Sequence, residues 1–543
     1  MLIIKAVKFK GGSFMNGYLS FVLHGHLPYV RHPEYAEFLE EDWLYEAISE
    51  TYVPLLEMFE RLSNDKIPWN LTITMSGTLV NMLNDDMLRG RYIHHLDKLI
   101  DLCEKEIERL KEYPDMLKVA EHNLWFHKRA KGVYEEKYNR DLIGAFRIFQ
   151  DQGNLEIIPV TATHGFLPLM KDYPEAVNAQ VFMAKEDFKR NFGRDPKGIW
   201  LAECAYYPGQ DKYLEKHGIR YFLVDAHGIM HSNPRPLYGI YSPVYTPNGV
   251  AAFARDLESS EQVWSSEIGY PGDTVYREFH KDAGYELDYD YIAPYLHSDG
   301  VRRNIGIKYH AITDKKGTYR AVYDPEVAYN RAKEHAYNFV NNRTKQLEHL
   351  SAKMRNRKPI IVSPYDMELY GHWWYEGPTF LEYVFRAVAE SNFSTITPSG
   401  YLDRYPTNQV VDVSLSSWGA NGYYDVWVDS SNDYAYRHLH KAAQKMIELA
   451  NGREPENELE YRALSQAARE LLMAQTSCWE FIMFTGTMVG YAQKKISDHV
   501  NRLYKLYEDF NNRNIDESWV REIESRDNIF PVIDYRMFRT DRL

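Results

Sequence analysis

The sequence predicts an α/β chain: an irregular barrel of about seven strand and helix units, a helical insertion within it, and an all-helical domain after it. Three observations carry this. Short apolar runs recur through the first 400 residues and stop on polar groups, as YLSFVL stops on HGH and IIVSP on Tyr365-Asp366. Charged stretches with helical spacing separate those runs. Beyond about Tyr401 the strand-like runs cease and helical stripes replace them.

Length and charge narrow the class. A chain of 543 residues exceeds one compact core, so more than one unit is expected. The net charge is −13, from 64 basic and 77 acidic residues, and no Lys or Arg run could track phosphates. Nucleic acid and anionic membrane are therefore not expected partners. The three cysteines, Cys103, Cys204 and Cys478, form no CxxC pair, which excludes a disulfide framework and zinc-finger spacing. Near the start only Leu2 to Ile4 is apolar, too short for a signal peptide or a span, so a cytoplasmic chain is expected. Residues 1–16 read as a leader, with Met15 as an alternative start.

Taken in order, Tyr18 to Leu23 is a buried first strand leading into His24-Gly25-His26. Leu44 to Leu62 has the spacing of one amphipathic helix, and Leu71 to Met75 is the second strand. Residues 85–141 are charged and helical, an insertion between barrel segments 17–84 and 142–400. Leu155 to Val160 resumes the sheet and ends near His164. Gly198 to Leu201, Gly218 to Asp225 and Ala251 to Asp256 follow as strands, with a Pro-rich loop at Ser232 to Pro243 around Tyr238. Trp264 falls in a later loop, and Asp324 to Arg357 is a long helix before the strand at Ile360. In the 401–543 region, an exposed loop carrying Trp418 and Trp427 precedes three helices, Tyr434–Asn451, Glu456–Phe484 and Thr487–Phe510. Those tryptophans serve either to bolt this domain to the barrel or to present a surface.

Chemistry is expected where strands end, because the loops there converge while the barrel interior is packed. Glu203 ends the Trp200 strand and Asp366 the Ile360 strand. Two such carboxyls among Tyr, Trp and His are what glycosidic bond chemistry requires. Cys204 reads as a packing residue, since the neighbouring Glu203 raises rather than lowers a thiol pKa. His24 and His26 fall on one side of an extended segment. A metal is one reading of the pair, but no third ligand stands at a defined spacing, and hydrogen bonding inside a polar pocket is the preferred reading.

Five segments in one order, HGHLPYV, GFLPL, WLAECAY, SPYDMELYGHWW and SSWGANGYYDVW, resemble the motifs of glycoside hydrolase family 57 over residues 17–535. Within it the chain is most similar to 1,4-α-glucan branching enzymes and their amylase-like relatives. The resemblance implies a (β/α)7 barrel, Glu203 as nucleophile, Asp366 as general acid/base, an α-glucan substrate and no cofactor. It places His24, His26 and His164 on the hydroxyls of the sugar at the cleavage point, with Arg255 and His372 nearby in the substrate site, and Trp264, Trp418 and Trp427 on flanking sugar rings. Two departures stand out. Thr476-Ser477-Cys478-Trp479 occupies the place of a family Ser-Ser-Asp-Trp, so Cys478 and Trp479 stand at sugar-contacting positions with a thiol for an acid. The loop that carries a water-excluding tyrosine in branching relatives is short and Pro-rich here, with Tyr238 as the residue expected to fill that role.

Overall fold

The computed structural model describes residues 15–265, 268–314 and 319–543. The leader reading thus falls mostly outside the described residues. Nine strands occur among them: β1 Tyr18–Gly25, β2 Leu71–Met75, β3 Leu155–Pro159, β4 Gly198–Ile199, β5 Tyr221–Val224, β6 Val244–Tyr245, β7 Ala251–Ala254, β8 Ile360–Asp366 and β9 Ser394–Thr395. β3, β2, β1 and β8 pair in parallel, as do β4, β5 and β7. Two single contacts join these sheets. Trp200 N–H, just past β4, donates at 2.9 Å to the carbonyl of Pro159, the last residue of β3, and Asp256 N–H, just past β7, donates at 2.8 Å to Val362 O of β8. Seven parallel strands thereby form an irregular ring, the expected (β/α)7 barrel.

The remaining two strands are accessory. β6 runs antiparallel to β7. β9 pairs with the start of β1, where β2 has not yet begun, and the Thr395 hydroxyl takes the Asn70 N–H at 2.8 Å. Every residue of β1 is buried, which explains its near-continuous apolar run. Val22, Ile158, Trp200, Leu223, Phe253 and Val362 fill the barrel interior.

The outer helices follow from local chemistry. In Pro325–Lys353, Asp324 accepts from the N–H groups of Glu326 and Val327, Pro325 opens the helix, and Ala328, Ala332, Ala336 and Phe339 form its buried stripe. The range read as an insertion contains the antiparallel helices Asp86–Arg109 and Pro114–Gly132, joined by a short turn.

Three element readings need correction. The helix expected over Leu44 to Leu62 is interrupted by a π-helical turn at Ile48–Tyr52, a kind of irregularity that often marks a working residue. Trp264 is not in a loop but ends the helix Leu257–Trp264, which Asp256 caps by accepting from Ser259 N–H. The single helix expected over Glu456 to Phe484 is two, Glu458–Ala474 and Cys478–Thr485. It breaks because residues 475–477 pair instead with the loop after β3: Ser477 N–H donates to His164 O at 3.2 Å, and Thr476 bridges Gly165. That break delivers Cys478 to the barrel mouth. Helices Val489–Asn511 and Glu517–Arg526 complete the C-terminal helical region. No helix among the described residues is long and apolar enough to cross a membrane.

Candidate active site

The C-terminal strand ends surround a cleft of about 1,040 Å³. Of the expected residues, His24, His26, His164, Glu203, Arg255, Trp264, Asp366, His372, Trp418, Trp427 and Cys478 all line it. Glu203 and Asp366 follow β4 and end β8, strands on opposite sides of the ring, so their side chains meet across the mouth.

Glu203 is held in an unusual conformation. Its φ of 61° and that of Cys204, 53°, are left-handed, as is that of His164 at 63°. Non-glycine residues adopt this region at a cost that the surroundings must offset, and such positions gather at active sites. Two hydrogen bonds from Trp418 hold the turn. Its backbone N–H donates to Glu203 O at 2.9 Å, and its indole Nε1 donates to Glu203 Oε2 at 2.5 Å. The Trp418 ring in turn lies 5.7 Å from the Arg255 guanidinium, which is paired with Asp225. A chain of contacts thus runs from Asp225 to the Glu203 carboxylate.

Burial pushes Glu203 up to about 7, and the Trp418 bond opposes that rise. Asp366 is raised well above the carboxylate range by burial first, then by the charges of Glu203 and Glu368. The two acids therefore have different environments: one accepts an N–H, the other sees its neighbour's charge.

Three imidazoles floor the cleft. His24 Nδ1 meets Thr74 Oγ1 at 2.8 Å, its Nε2 meets His164 Nε2 at 3.0 Å, and its ring stacks on Trp200 at 4.7 Å. His164 Nδ1 meets Ser477 Oγ at 2.8 Å, and its Nε2 lies 3.8 Å from Glu203 Oε1. His26 stacks on His164 at 3.9 Å and its Nε2 lies 2.9 Å from Cys478 Sγ. Burial lowers the pKa of all three, so they are neutral rings able to hydrogen-bond hydroxyls. Gly25 between them is required: a Cβ there would lie 2.8 Å from Thr74 O and closer still to Met367.

His372 is different. Burial pulls it down, but Glu50 at 2.7 Å and Glu46 at 3.6 Å outweigh this and raise it. Glu50 belongs to the π-helical turn, and Gly371, with φ 126°, lets the chain pass against Glu50 O, where a Cβ would collide.

Among the described residues two groups of side chains come close enough to suggest a metal, and neither is arranged to hold one. His26, His164 and Cys478 offer ligand atoms within 4.8 Å of one another. The two rings are parallel within 9°, however, so their lone pairs lie in separate planes and meet at no common point. A second set, Glu470, His499 and Asp527, is fully buried beside Arg502, which already pairs with Asp527.

Other expectations fare differently. Trp418 and Trp427 are buried rather than exposed: the first binds Glu203, and the second packs on Phe166 at 4.8 Å. Trp479 is buried behind the wall, donating Nε1 to Met473 O. Tyr238 is not brought to the cleft. Its ring lies 5.4 Å from the Arg357 guanidinium, and nearby Tyr241 O accepts from Ile360 N–H, at the amino end of β8 and so opposite Asp366. The sequence reading also missed Glu368, Trp373, Phe481 and Trp43, which line the cleft. Glu368 accepts from Tyr52 OH at 2.7 Å and is raised to about 7 by burial. Trp373 is 42% exposed and faces Trp264 with ring centres 6.1 Å apart. Both stand within seven residues of Asp366, which was the available signal.

Residues 20–354 match glycosyl hydrolase family 57. The chain belongs to glycosyl hydrolase family 57. Residues 438–538 also match the C-terminal region of 1,4-alpha-glucan branching enzymes. A family 57 branching enzyme from Pyrococcus horikoshii superposes with a TM-score of 0.87 at 33% identity, covering 97% of each chain. The alpha-amylase AmyC from Thermotoga maritima superposes with a TM-score of 0.90 at 42% identity, covering 96% of this chain and 99% of that one. A 1,4-alpha-glucan branching enzyme of Thermococcus kodakarensis is 34% identical over 96% of this chain and 78% of its own length. The chain thus resembles both transferases and a hydrolase over nearly its whole length.

Proposed function

We propose that this family 57 protein is a retaining α-glucan enzyme of the cytoplasm, a 1,4-α-glucan branching enzyme with substantial hydrolysis. It cleaves an α-1,4 bond through a covalent glycosyl-enzyme and passes the segment to a sugar 6-hydroxyl. The observation that carries the chemistry is the unequal pair: Glu203 takes the Trp418 N–H, while Asp366 sits beside the Glu203 charge. Ionised Glu203 attacks the anomeric carbon as protonated Asp366 gives its proton to the departing oxygen. Asp366, now a base, then takes the proton of the acceptor hydroxyl as that oxygen displaces Glu203. Neutral His24, His26 and His164 bind the hydroxyls of the sugar being cleaved. In this reading the barrel, 17–84 and 142–400, supplies both carboxyls, 85–141 is an inserted helical unit, and the helical domain 401–543 supplies Trp418 and Cys478.

Transfer is favoured by the match at 438–538 and by the similarity to two branching enzymes over their length. Hydrolysis is favoured by the 42% identity to AmyC and by the absence of Tyr238 from the cleft. The test is incubation with amylose, counting reducing ends before and after enzymatic debranching. New ends that appear only after debranching support transfer to a 6-hydroxyl. Equal counts in both samples would leave hydrolysis or transfer to a 4-hydroxyl.

A further inference from the structure

The cleft extends in two directions from the carboxyl pair. On one side its lining includes Trp264 and Trp373, which follow β7 and β8, the latter the strand that carries Asp366. Across the ring Cys478 stands 2.9 Å from His26 Nε2, by the loops that follow β1 and β3. From there the lining runs on along helix Cys478–Thr485, through Phe481 and Ile482, to Thr487 just past its end. Trp43, also in the lining, belongs to this side: Tyr491 stands edge-on both to its ring, at 6.5 Å, and to that of Trp479, at 5.9 Å.

This second arm has the make-up of a sugar track. Eight residues of helix span about 12 Å, more than the one sugar held by the imidazoles needs. Phe481 is 46% exposed, and Phe484, three positions on and so its neighbour on the helix surface, is 42% exposed. Val428, also exposed, follows the cleft residues Val426 and Trp427. Asn432 ties that loop to the helix, donating from Nδ2 to Val426 O at 2.9 Å and to Glu480 O at 3.1 Å. Hydroxyls stand beside these apolar groups, with Thr487 Oγ1 3.2 Å from Thr485 Oγ1. A lone exposed apolar residue needs no explanation, but a series continuous with a catalytic cleft marks a ligand surface. Aromatic faces flanked by hydroxyls suit sugar rings, which are apolar on their faces and polar at their edges.

The mechanism decides which part of the glucan lies there. Asp366 gives its proton to the departing oxygen, so the departing chain leaves on the β8 side, toward Trp373. The sugar held by His24, His26 and His164 becomes joined to Glu203, and its own chain continues the other way, past Cys478. We propose that helix Cys478–Thr485, with Trp43, holds the α-1,4-glucan segment that is transferred, sugars stacking on Phe481 and Phe484, and so selects donors with several glucoses on that side of the bond. This rests on the retaining mechanism proposed above.

The test varies that side alone. With 4-nitrophenyl α-glycosides from the glucoside to the maltoheptaoside, release of nitrophenol requires every glucose to lie on the Glu203 side, whether the segment then passes to water or to another sugar. In the parent, kcat/KM for this release should climb as glucoses are added, because binding remote from the bond lowers the barrier. Phe484→Ala and Trp43→Ala should each flatten the climb, with kcat/KM down roughly fivefold on the maltoheptaoside and progressively less on shorter glycosides, the effect of one lost stacking face. An equal loss at every length would show a structural role, and a parent indifferent to length would show that no track exists. Either outcome overturns the proposal and leaves the mechanism standing. No nitrophenol from any glycoside would overturn the mechanism and the track with it.

Discussion

Trp418 Nε1 donates a 2.5 Å hydrogen bond to Oε2 of Glu203, and its backbone N–H donates to the carbonyl of the same residue. One loop residue, 215 positions along the chain, therefore fixes both the backbone turn and the charge of Glu203. The side-chain bond opposes the rise that burial imposes on the Glu203 pKa, about 7. Trp418→Phe keeps the packing and removes the donor, so Glu203 becomes harder to ionise. The acidic limb of kcat/KM should move to higher pH, with activity at pH 6 down roughly tenfold, the worth of one hydrogen bond to a charged group. An unmoved limb would show that Trp418 only packs.

The same burial predicts a trade between activity and stability at Glu203. Its folded-state pKa, about 7, lies above the ordinary 4.5, so between those values the folded state holds a proton that the unfolded chain releases. Stability from this group is present below that window and falls as pH rises through it. Glu203→Gln should therefore be inactive, yet unfold at a higher temperature than the parent at pH 8, the advantage vanishing near pH 4.5. A Tm gain independent of pH would show that the buried charge is not its source.

Asp366 carries the complementary expectation. Burial and the Glu203 charge keep it protonated, ready to give its proton to a leaving oxygen. Asp366→Asn should lose activity on amylose by several orders of magnitude but retain part of it on glucosides with an activated leaving group, which need no proton. Equal loss on both substrates would take the acid role from Asp366.

How much of this was legible depended on whether the cause was local. Strands such as β1 and β8 announce themselves as apolar runs because parallel barrel strands are buried on both faces. Strand-end residues such as His24, Glu203 and Asp366 followed from that alone. What was illegible was set by distant partners. The chain leaves helix at residues 475–477 because His164 and Gly165, more than 300 positions away, pair with it. Trp418 and Trp427 read as exposed because their loop is rich in Gly and Tyr, but their burial depends on Glu203 and Phe166. Tyr238 stands in the loop that the family resemblance places over the mouth, yet that loop lies at the amino end of β8.

Cys478 lies 2.9 Å from His26 Nε2, where it accompanies the imidazoles that floor the cleft. Cys103 and Cys204 are buried, so iodoacetamide should modify Cys478 selectively. Burial raises its pKa well above that of a free thiol, followed by the Glu203 charge. Alkylation should then be slow at pH 7, accelerate as pH rises, and abolish activity in proportion to label. Maltoheptaose should protect, and Cys478→Ser should resist. Inactivation unaffected by the sugar would place the thiol off the substrate path. Cys478→Asp, by restoring an acid opposite His26, is expected to raise total activity.

The balance between transfer and hydrolysis rests on surfaces that hold an acceptor glucan while water is kept away. Water stands at about 55 M against millimolar sugar, so transfer requires the acceptor to be positioned by binding rather than by collision. Tyr238 cannot contribute from the far end of the barrel, and Tyr238→Ala should leave the ratio of branch points to new reducing ends unchanged. The pair at the rim is Trp264 and Trp373, rings 6.1 Å apart and inclined by 37°, with Trp373 42% exposed. Removing a stacking face costs about 1 kcal/mol or more of acceptor binding, whereas water needs no such face. Trp373→Ala should therefore lower branch points several-fold while changing new reducing ends less, both counted in one amylose reaction before and after debranching. If the two fall together, Trp373 serves the donor chain, and the acceptor must be held elsewhere on the wall, with Phe481, 46% exposed, the next aromatic face to remove.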